Sequence, residues 1–555
     1  MTQWKRPLNR RRFVGIGGSS LAALYLAACG GDSSNDEGAS GAQSTASQGV
    51  QNLVPTAADT AQAQRGGTLA YHGANADFPD IHQATHSGIT GMMQYPIDGL
   101  TQLDEPKPGE FTEAAMLAAV PERPDDLTLV YKLRPGVKFA NVPPVNGRAL
   151  TAEDAKFSLE RMATDDPKFL RRSWFAGVER FEAVDASTLK VVTKEPVASL
   201  STLIANPWTG IIAKEQVERD GAQLKDLIGS GPYITSRLDI NSQIDFRRNP
   251  DYWDSGKPYF DEVKLLYLPE PAARVAAFRS GQISRVDPPA DTVENFKQTN
   301  PNAIEYKVLT PGIGIVAFNN RREPYNDPRV RQAIATAVDL QGWIDVIVAG
   351  QGLLTGPMSP AYANWALPED KLLYTKPDIA KAKQLLAAAG YADGFKMNAF
   401  SIGDVQTYIA QAEQMKEDLR PLGIDVQIEA VTQQDYTRRL FTQRDFDVVT
   451  GQDFAPDDPD RLRDKLHSKG SGNYAGYANP EVDSLLERQT VTIDRNARKQ
   501  LVNQAQEIIL RDVPILFSIV WYTFYFTKPN LHNWRESVLV GNGTRWSARN
   551  AFMTQ

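Results

Sequence analysis

Leu127-Thr128-Leu129-Val130-Tyr131-Lys132-Leu133, and further on Leu150-Thr151-Ala152-Glu153-Asp154-Ala155-Lys156-Phe157-Ser158-Leu159-Glu160-Arg161-Met162, together set the fold class. In the first run the leucines and Tyr131 alternate with Thr128, Val130 and Lys132, the period of a strand with one buried face. In the second, Thr151 precedes an acid at the third helical position, and Ala155, Leu159 and Met162 recur at i, i+4 and i+7. That is a capped amphipathic helix. The same alternation of strand and helix continues outward. Asp327-Pro328 is a cap with proline at the first helical position, and Val330, Ile334 and Val338 form an apolar stripe behind it. Asp378 opens a helix with Ile379, Ala382, Leu386 and Ala389 inward, closed by Gly390. Ile424-Asp425-Val426-Gln427-Ile428 again has the period of a strand. Strands and helices in alternation predict an α/β fold. No fixed-period repeat interrupts it, which excludes solenoids and propellers.

The chain has 555 residues, enough for two or three compact units, and is 42% hydrophobic and 23% charged. That is globular composition, not that of a disordered or fibrous chain. Its formal charge of −7 leaves no basic surplus for a phosphate backbone, so no nucleic-acid partner is expected. The single cysteine, Cys29, excludes an internal disulfide and any cysteine zinc site. No apolar stretch is long and clean enough to be an ordinary membrane span.

The N-terminus reads as an address. Residues 1–28 carry Lys5, Arg6, Arg10, Arg11 and Arg12 and no acid, followed by a short apolar run diluted with glycine and serine. This is the layout of an export signal. Asn9-Arg10-Arg11-Arg12-Phe13-Val14 resembles the twin-arginine signal, with Arg10 and Arg11 as the pair. Leu26-Ala27-Ala28-Cys29 resembles a lipobox, in which Cys29 is acylated and becomes the mature N-terminus. Residues 29–64 hold no aromatic and no basic side chain and read as a flexible linker. Loss of the five basic residues before Cys29 takes the side-chain charge from −7 to −12.

From Gly66 onward an ordered set of motifs carries a family resemblance. The set starts with Leu129–Val137, Leu150–Ala155 and Ser158–Arg161. It continues with Gly229-Ser230-Gly231-Pro232-Tyr233, Arg248-Asn249-Pro250-Asp251-Tyr252-Trp253 and Asp327–Ala333. It ends with Ala380–Gly390 and with Asn473-Tyr474, Tyr477, Pro480 and Asp483. Together they resemble the family-5 solute-binding proteins of ABC importers, whose members bind oligopeptides, dipeptides, nickel and some sugars. The resemblance implies a two-lobed α/β periplasmic-binding-protein fold with an extra subdomain in the first lobe and a hinge between lobes. It places the first lobe at 65–108, 231–310 and 527–555, the extra subdomain at 109–230 and the second lobe at 311–526. Hinges are expected near Thr310–Gly314 and Tyr525–Lys528, with closure around the solute. Ala140–Val145 stands where relatives often have a short acid-glycine turn, so a surface insertion is expected there. The implied function is capture of a peptide or other polar solute outside the cytoplasm, for delivery to a membrane permease and its ATPase. The protein is then a lipid-anchored monomer without cofactor or catalysis. Nothing in the chain fits the phosphate-binding Gly-x-x-x-x-Gly-Lys-Ser/Thr loop, in keeping with an ATPase on a separate partner.

Candidate ligand residues follow from two places. Gly451-Gln452-Asp453-Phe454-Ala455-Pro456-Asp457-Asp458-Pro459 aligns with the segment in which peptide-binding relatives carry Gly-Trp and then an aspartate for the peptide's free amine. The alignment puts Gln452 on the tryptophan and Ala455 on the aspartate, so the carboxylate is missing at its usual place. Gln452, Asp453 and Phe454 are the replacement candidates. A carboxylate at Asp453 suits an amine-bearing solute and Gln452 with Phe454 a neutral one, and Ala455 tips the reading toward the neutral. Asp457 and Asp458 are either cleft groups or a solvated acidic loop. Ile515–Phe526 is a buried strand by composition, too short for a membrane span, and resemblance places it at the return crossing. Its Trp521 and Tyr522, with Asn319, complete the candidate set.

Three other patterns do not hold as sites. Gly312-Ile313-Gly314 is followed by a strand and turn rather than the helix that a dinucleotide phosphate needs. Ser187-Thr188-Leu189-Lys190 lacks the partner motifs of the serine enzymes that it imitates, and no Gly-x-Ser-x-Gly elbow occurs, so a surface hydrolase is disfavoured. His72, His82 and His86 have metal-ligand chemistry, and a nickel or metal-complex binder on the same fold is the alternative function. A loop carrying Pro79 and Gly88 fixes no third ligand, so no metal is expected.

Overall fold

The computed structural model describes residues 63–73, 80–84, 87–221, 224–239, 241–454, 457–539 and 541–554. Cys29, Arg10, Arg11, the linker up to residue 62, His86 and Ala455 lie outside them. In chain order the strands begin with β1 (Thr68–His72), β2 (Thr101–Lys107), β3 (Glu110–Ala115), β4 (Glu122–Asp125), β5 (Thr128–Lys132), β6 (Val178–Asp185) and β7 (Thr188–Thr193). Next come β8 (Tyr233–Asp239), β9 (Gln243–Arg248), β10 (Glu262–Leu266), β11 (Arg285–Val286), β12 (Ile304–Leu309) and β13 (Gly312–Phe318). The last are β14 (Gly352–Leu354), β15 (Lys396–Ile402), β16 (Asp425–Val431), β17 (Val448–Phe454), β18 (Ile515–Phe517) and β19 (Ile519–Thr527). The helices that bear on the site are α1 (Ala152–Ala163), α2 (Leu200–Ile204), α3 (Pro328–Ala337), α4 (Ile379–Ala388), α5 (Gln406–Leu419), α6 (Pro459–Leu466), α7 (Pro480–Val491) and α8 (Arg495–Asp512).

The caps are formed by the residues that the sequence marks. The Asp154 carboxylate accepts from the Thr151 N–H at 2.9 Å, and Ala155, Leu159 and Met162 are buried under α1. Asp327 accepts from the Arg329 N–H at 2.8 Å and Asp378 from the Lys381 N–H at 2.9 Å, starting α3 and α4. Gly390 follows α4 with φ of +91°, a conformation that glycine adopts without strain.

Among the described residues four sheets have four or more strands, one of them β11-β19-β12 with β14 also on β19. Of the others, one runs β1-β10-β9-β8 in the segments expected for the first lobe, one β4-β5-β7-β6 in that expected for the extra subdomain, and one β16-β15-β17-β13-β18 in that expected for the second lobe. β13 is apolar throughout because both of its faces are covered. Ile313, Ile315 and Ala317 enter one core with Phe400 and Val449, while Val316 and Phe318 enter the other with Val426 and Val448. Its glycines serve close approach. A methyl at Gly312 would overlap the Gln452 amide, and one at Gly314 would stand 2.7 Å from the Ser518 hydroxyl.

Two strands pass between lobes side by side. β12 pairs with β19 from Ile304↔Thr527 to Leu309↔Tyr522, and beyond Thr310-Pro311 β13 pairs with β18 from Ile315↔Phe517 to Ala317↔Ile515. β14 of the second lobe holds the start of β19, through Gly352↔Trp521 and Leu354↔Ile519. The run Ile515–Phe526 therefore changes sheet at Ser518, between β18 and β19. The expected hinge at Tyr525–Lys528 falls inside or just beyond the β12 ladder, because the apolar run gives no sign of where its pairing partner changes. The expected boundary at 108/109 likewise falls in the turn of the β2–β3 hairpin.

His82 is part of a buried bracket between the first lobe and the extra subdomain. Arg161 of α1 donates to both Asp80 oxygens, at 3.0 and 2.6 Å, and its Nη1 lies 3.0 Å from His82 Nδ1. His82 Nε2 sits 2.9 Å from the Gly210 carbonyl, so the proton is on Nε2 and both ring nitrogens are engaged. Burial, with the Arg161 charge adding to it, pushes the imidazole down from 6.5 to about 4. The unfolded chain then takes up this proton below about 6.5, whereas the folded chain resists it until about 4. Stability is expected to fall by about 3 kcal/mol as pH drops through that window. Urea denaturation at pH 7 and at pH 4.5 measures it. The acid loss should shrink in His82→Gln, and an unchanged loss would assign it to other groups.

Candidate interlobe binding site

The site is built where the lobes meet. From the first-lobe side come the β2–β3 hairpin, α2 and Asn206. From the second come Tyr362, Asn364 and Trp365, the N-terminus of α6 and the start of α8. Between them lies a cavity of about 200 Å³. The hairpin reaches the opposite wall because Gly109, at φ +72°, lets its turn approach the Ala361 carbonyl, which would stand only 2.7 Å from a methyl there. Phe111 then lies 6.0 Å, ring to ring, from Tyr362. Its carbonyl accepts from Asn364 Nδ2 at 2.9 Å and from Arg495 Nη2 at 3.2 Å. Beside α2 the Ala198 N–H donates to the Thr490 carbonyl at 2.8 Å, and the Ser199 hydroxyl donates to Asp460. These bonds join the two lobes directly.

The floor on the second-lobe side is ionic. Asp458 caps α6 by accepting from the Asp460 N–H at 2.9 Å, and its carboxylate pairs with Arg498 at 2.6 Å. Both residues are about 3% exposed. Burial alone would push the Arg498 guanidinium down, but Asp458 and Asp460 outweigh it and hold it above its ordinary value. Burial, then the charge of Asp458, pushes the Asp460 carboxyl up. Trp365 lies against this pair, with the Arg498 guanidinium 5.0 Å from its ring centre. Asp457 faces Arg461 at 3.2 Å. Asp458 is thus not part of a solvated acidic loop.

None of the candidate residues Gln452, Asp453, Asn319, Trp521 and Tyr522 from the sequence is among those that line this cavity. Gln452 lies over Gly312, and its Oε1 accepts from the Tyr408 hydroxyl at 3.2 Å. On the opposite face of β17, Asp453 pairs with Lys465 at 2.6 Å and accepts from the Tyr474 hydroxyl at 3.2 Å. Phe454 ends β17. Asn319 is buried behind the sheet, where its Nδ2 donates to the Phe446 carbonyl at 2.9 Å. Trp521 pairs with Gly352, and its carbonyl accepts from the Thr310 N–H at 2.8 Å. Tyr522 is half-buried under Lys307, whose Nζ is 4.0 Å from the ring centre. Sequence reasoning missed Glu113, Asn364, Arg495 and Arg498. Only Arg498 leaves a signal, a charge on the stripe of Leu501, Val502 and Ala505 that faces the core. His72 meets backbone, its Nδ1 accepting from the Leu268 N–H at 3.1 Å. Among the described residues no three His, Cys, Asp or Glu side chains are grouped to hold a metal ion, and no helix is long and apolar enough to cross a membrane.

Two lobes, an extra subdomain, two crossing strands and a polar cavity at the lobe interface define a solute-binding protein. The model of the bacterial extracellular solute-binding proteins, family 5, matches residues 113–473, more than half of the chain. The chain belongs to that family, the extracytoplasmic solute receptors of ABC importers, which bind and deliver without catalysis. It is 27% identical over 420 residues to di/tripeptide-binding protein 1 of Pseudomonas aeruginosa, an alignment covering 70% of this chain and 77% of that one. It is also 27% identical over 417 residues to the glutathione-binding protein GsiB of Escherichia coli, with the same coverage of 70% and 77%. The periplasmic binding protein DppA of Helicobacter pylori, solved with the peptide STSA, superposes with a TM-score of 0.71 at 24% identity, covering 89% of this chain and all of that one.

Proposed function

We propose that this receptor captures a small peptide or peptide-like polar solute between its lobes, exported by its twin-arginine signal and held at the membrane as a monomer by acylated Cys29. The observation that carries the solute reading is the cavity of about 200 Å³, walled by both lobes and lined by Asn206, Asn364, Thr112 and Thr202 among its polar groups. The relatives that bind di- and tripeptides and glutathione support the same class. The lobes are read as 65–108, 231–310 and 527–555 with the subdomain 109–230, and 311–526, bending where the two strands cross at 310–311 and 518–521.

A saturating pool of di- and tripeptides is expected to contract the protein in small-angle scattering and to raise its melting temperature. A concentration of about a hundred times Kd stabilises the bound state by about 2.7 kcal/mol. Unchanged dimensions and melting across the pool would sink the peptide reading. The anchor is tested separately. Cys29→Ser should move the protein from the membrane fraction to the soluble one with its melting temperature unchanged, and a wild-type protein without acyl chains would refute it.

A further inference from the structure

Glu113 is the carboxylate of the cavity that lacks a counter-ion. Asp457 has Arg461 and Asp458 has Arg498. Asp453, outside the cavity, has Lys465. Glu113 instead accepts from the Thr101 hydroxyl at 2.7 Å, and no cation among the described residues stands within ion-pair distance of it. It lines the cavity from β3, on the same strand face as Phe111. Phe111 is also where Asn364 and Arg495 bond the hairpin to the second lobe. Contact between the lobes therefore brings Glu113 to the cavity wall and fixes it there. Burial pushes its carboxyl up, and the Thr101 and Ser201 hydroxyls and the more distant Arg123 charge offset this only in part.

We infer that Glu113 is the seat of the solute's cationic nitrogen, so the site takes a small amine-bearing solute of about dipeptide size, anchored by the first-lobe hairpin and not by the loop after β17. The inference rests on the small-peptide reading above and narrows it. An ammonium leaving water needs a charged acceptor, and a carboxylate already oriented by Thr101 gives a charge-assisted bond. The volume sets the size. Drug-sized ligands occupy about 300–1,000 Å³ and an engineered cavity of about 150 Å³ holds benzene, so about 200 Å³ suits two small residues and excludes a long peptide.

The test is calorimetry of the purified protein with a panel of unblocked small dipeptides and the same panel N-acetylated. Wild type is expected to bind members of the unblocked panel at least about tenfold more tightly than their acetylated forms. Glu113→Gln should lose at least about tenfold in affinity for them and lose the preference, while Glu110→Gln, on the same strand but paired with Lys107, should keep both. Glu113→Gln with wild-type affinity and preference would overturn the anchor and leave the peptide reading standing. The acetylation arm needs no variant: equal binding of blocked and unblocked peptides by wild type overturns the anchor as well. If neither panel binds wild type, the peptide reading and the anchor fall together.

Discussion

Arg498→Met is expected to destabilise the second lobe by about 3–5 kcal/mol, the usual result of removing one partner of a buried ion pair. The guanidinium lies 2.6 Å from Asp458 and 3.4 Å from Asp460, and also donates to Gln489 at 3.0 Å. Methionine fills much of the space but leaves Asp458, buried at the start of α6, with no counter-charge. The double variant Arg498→Met/Asp458→Asn should recover part of it, since asparagine still caps a helix. Urea denaturation of the three proteins decides. A loss below about 1 kcal/mol in Arg498→Met would mean that water reaches the pair and screens it.

Arg161→Met is expected to have a comparable effect, about 3–5 kcal/mol, at the join between first lobe and subdomain. Asp80 is fully buried and takes two bonds from this one guanidinium, so its carboxylate would be stranded. The variant carries a second signature. Arg161 is one of the charges that keep His82 neutral, so its loss should raise the imidazole from about 4 and move the acid transition toward higher stability at low pH relative to pH 7. Denaturation at both pH values separates the effects. A large loss at pH 7 without a change in acid slope would mean that burial alone controls His82.

The elements that local chemistry governs were legible in the sequence. Thr151 with Asp154, Asp327 with Pro328 and Asp378 before Ile379 each act within one helical turn, and the alternation around Tyr131 records a single buried face. The ordered motifs then gave the family and its two lobes. The cavity was less legible because its walls are assembled from distant segments. Glu113 comes to line one cavity with Trp365 and Arg498 only after the hairpin turn at Gly109 has packed against Ala361, and no local pattern announces that approach. The loop at 451–459 drew attention through its missing aspartate. Strand alternation, however, turns Gln452 toward Tyr408 and Asp453 toward Lys465, so the polar side chains there meet partners in the helix layers instead of the cavity. The point at which the run Ile515–Phe526 changes sheet is hidden for a related reason. An apolar run such as Ile515–Phe526 looks the same whichever sheet it joins.

The paired crossing strands behave as a leaf spring with one soft direction. Thr310 N–H bonds to the Trp521 carbonyl and Ser518 N–H to the Gly314 carbonyl, each at 2.8 Å, so the two ribbons are riveted on both sides of the bend. A two-stranded ribbon flexes easily across its face. It resists sliding, because a shift of one residue would turn every side chain of β12 or β19 to the wrong face. Sliding of one crossing strand past the other is thereby opposed, whereas bending across the ribbon's face is not. An added residue in one crossing alone is therefore expected to skew how the two sides of the ribbon meet.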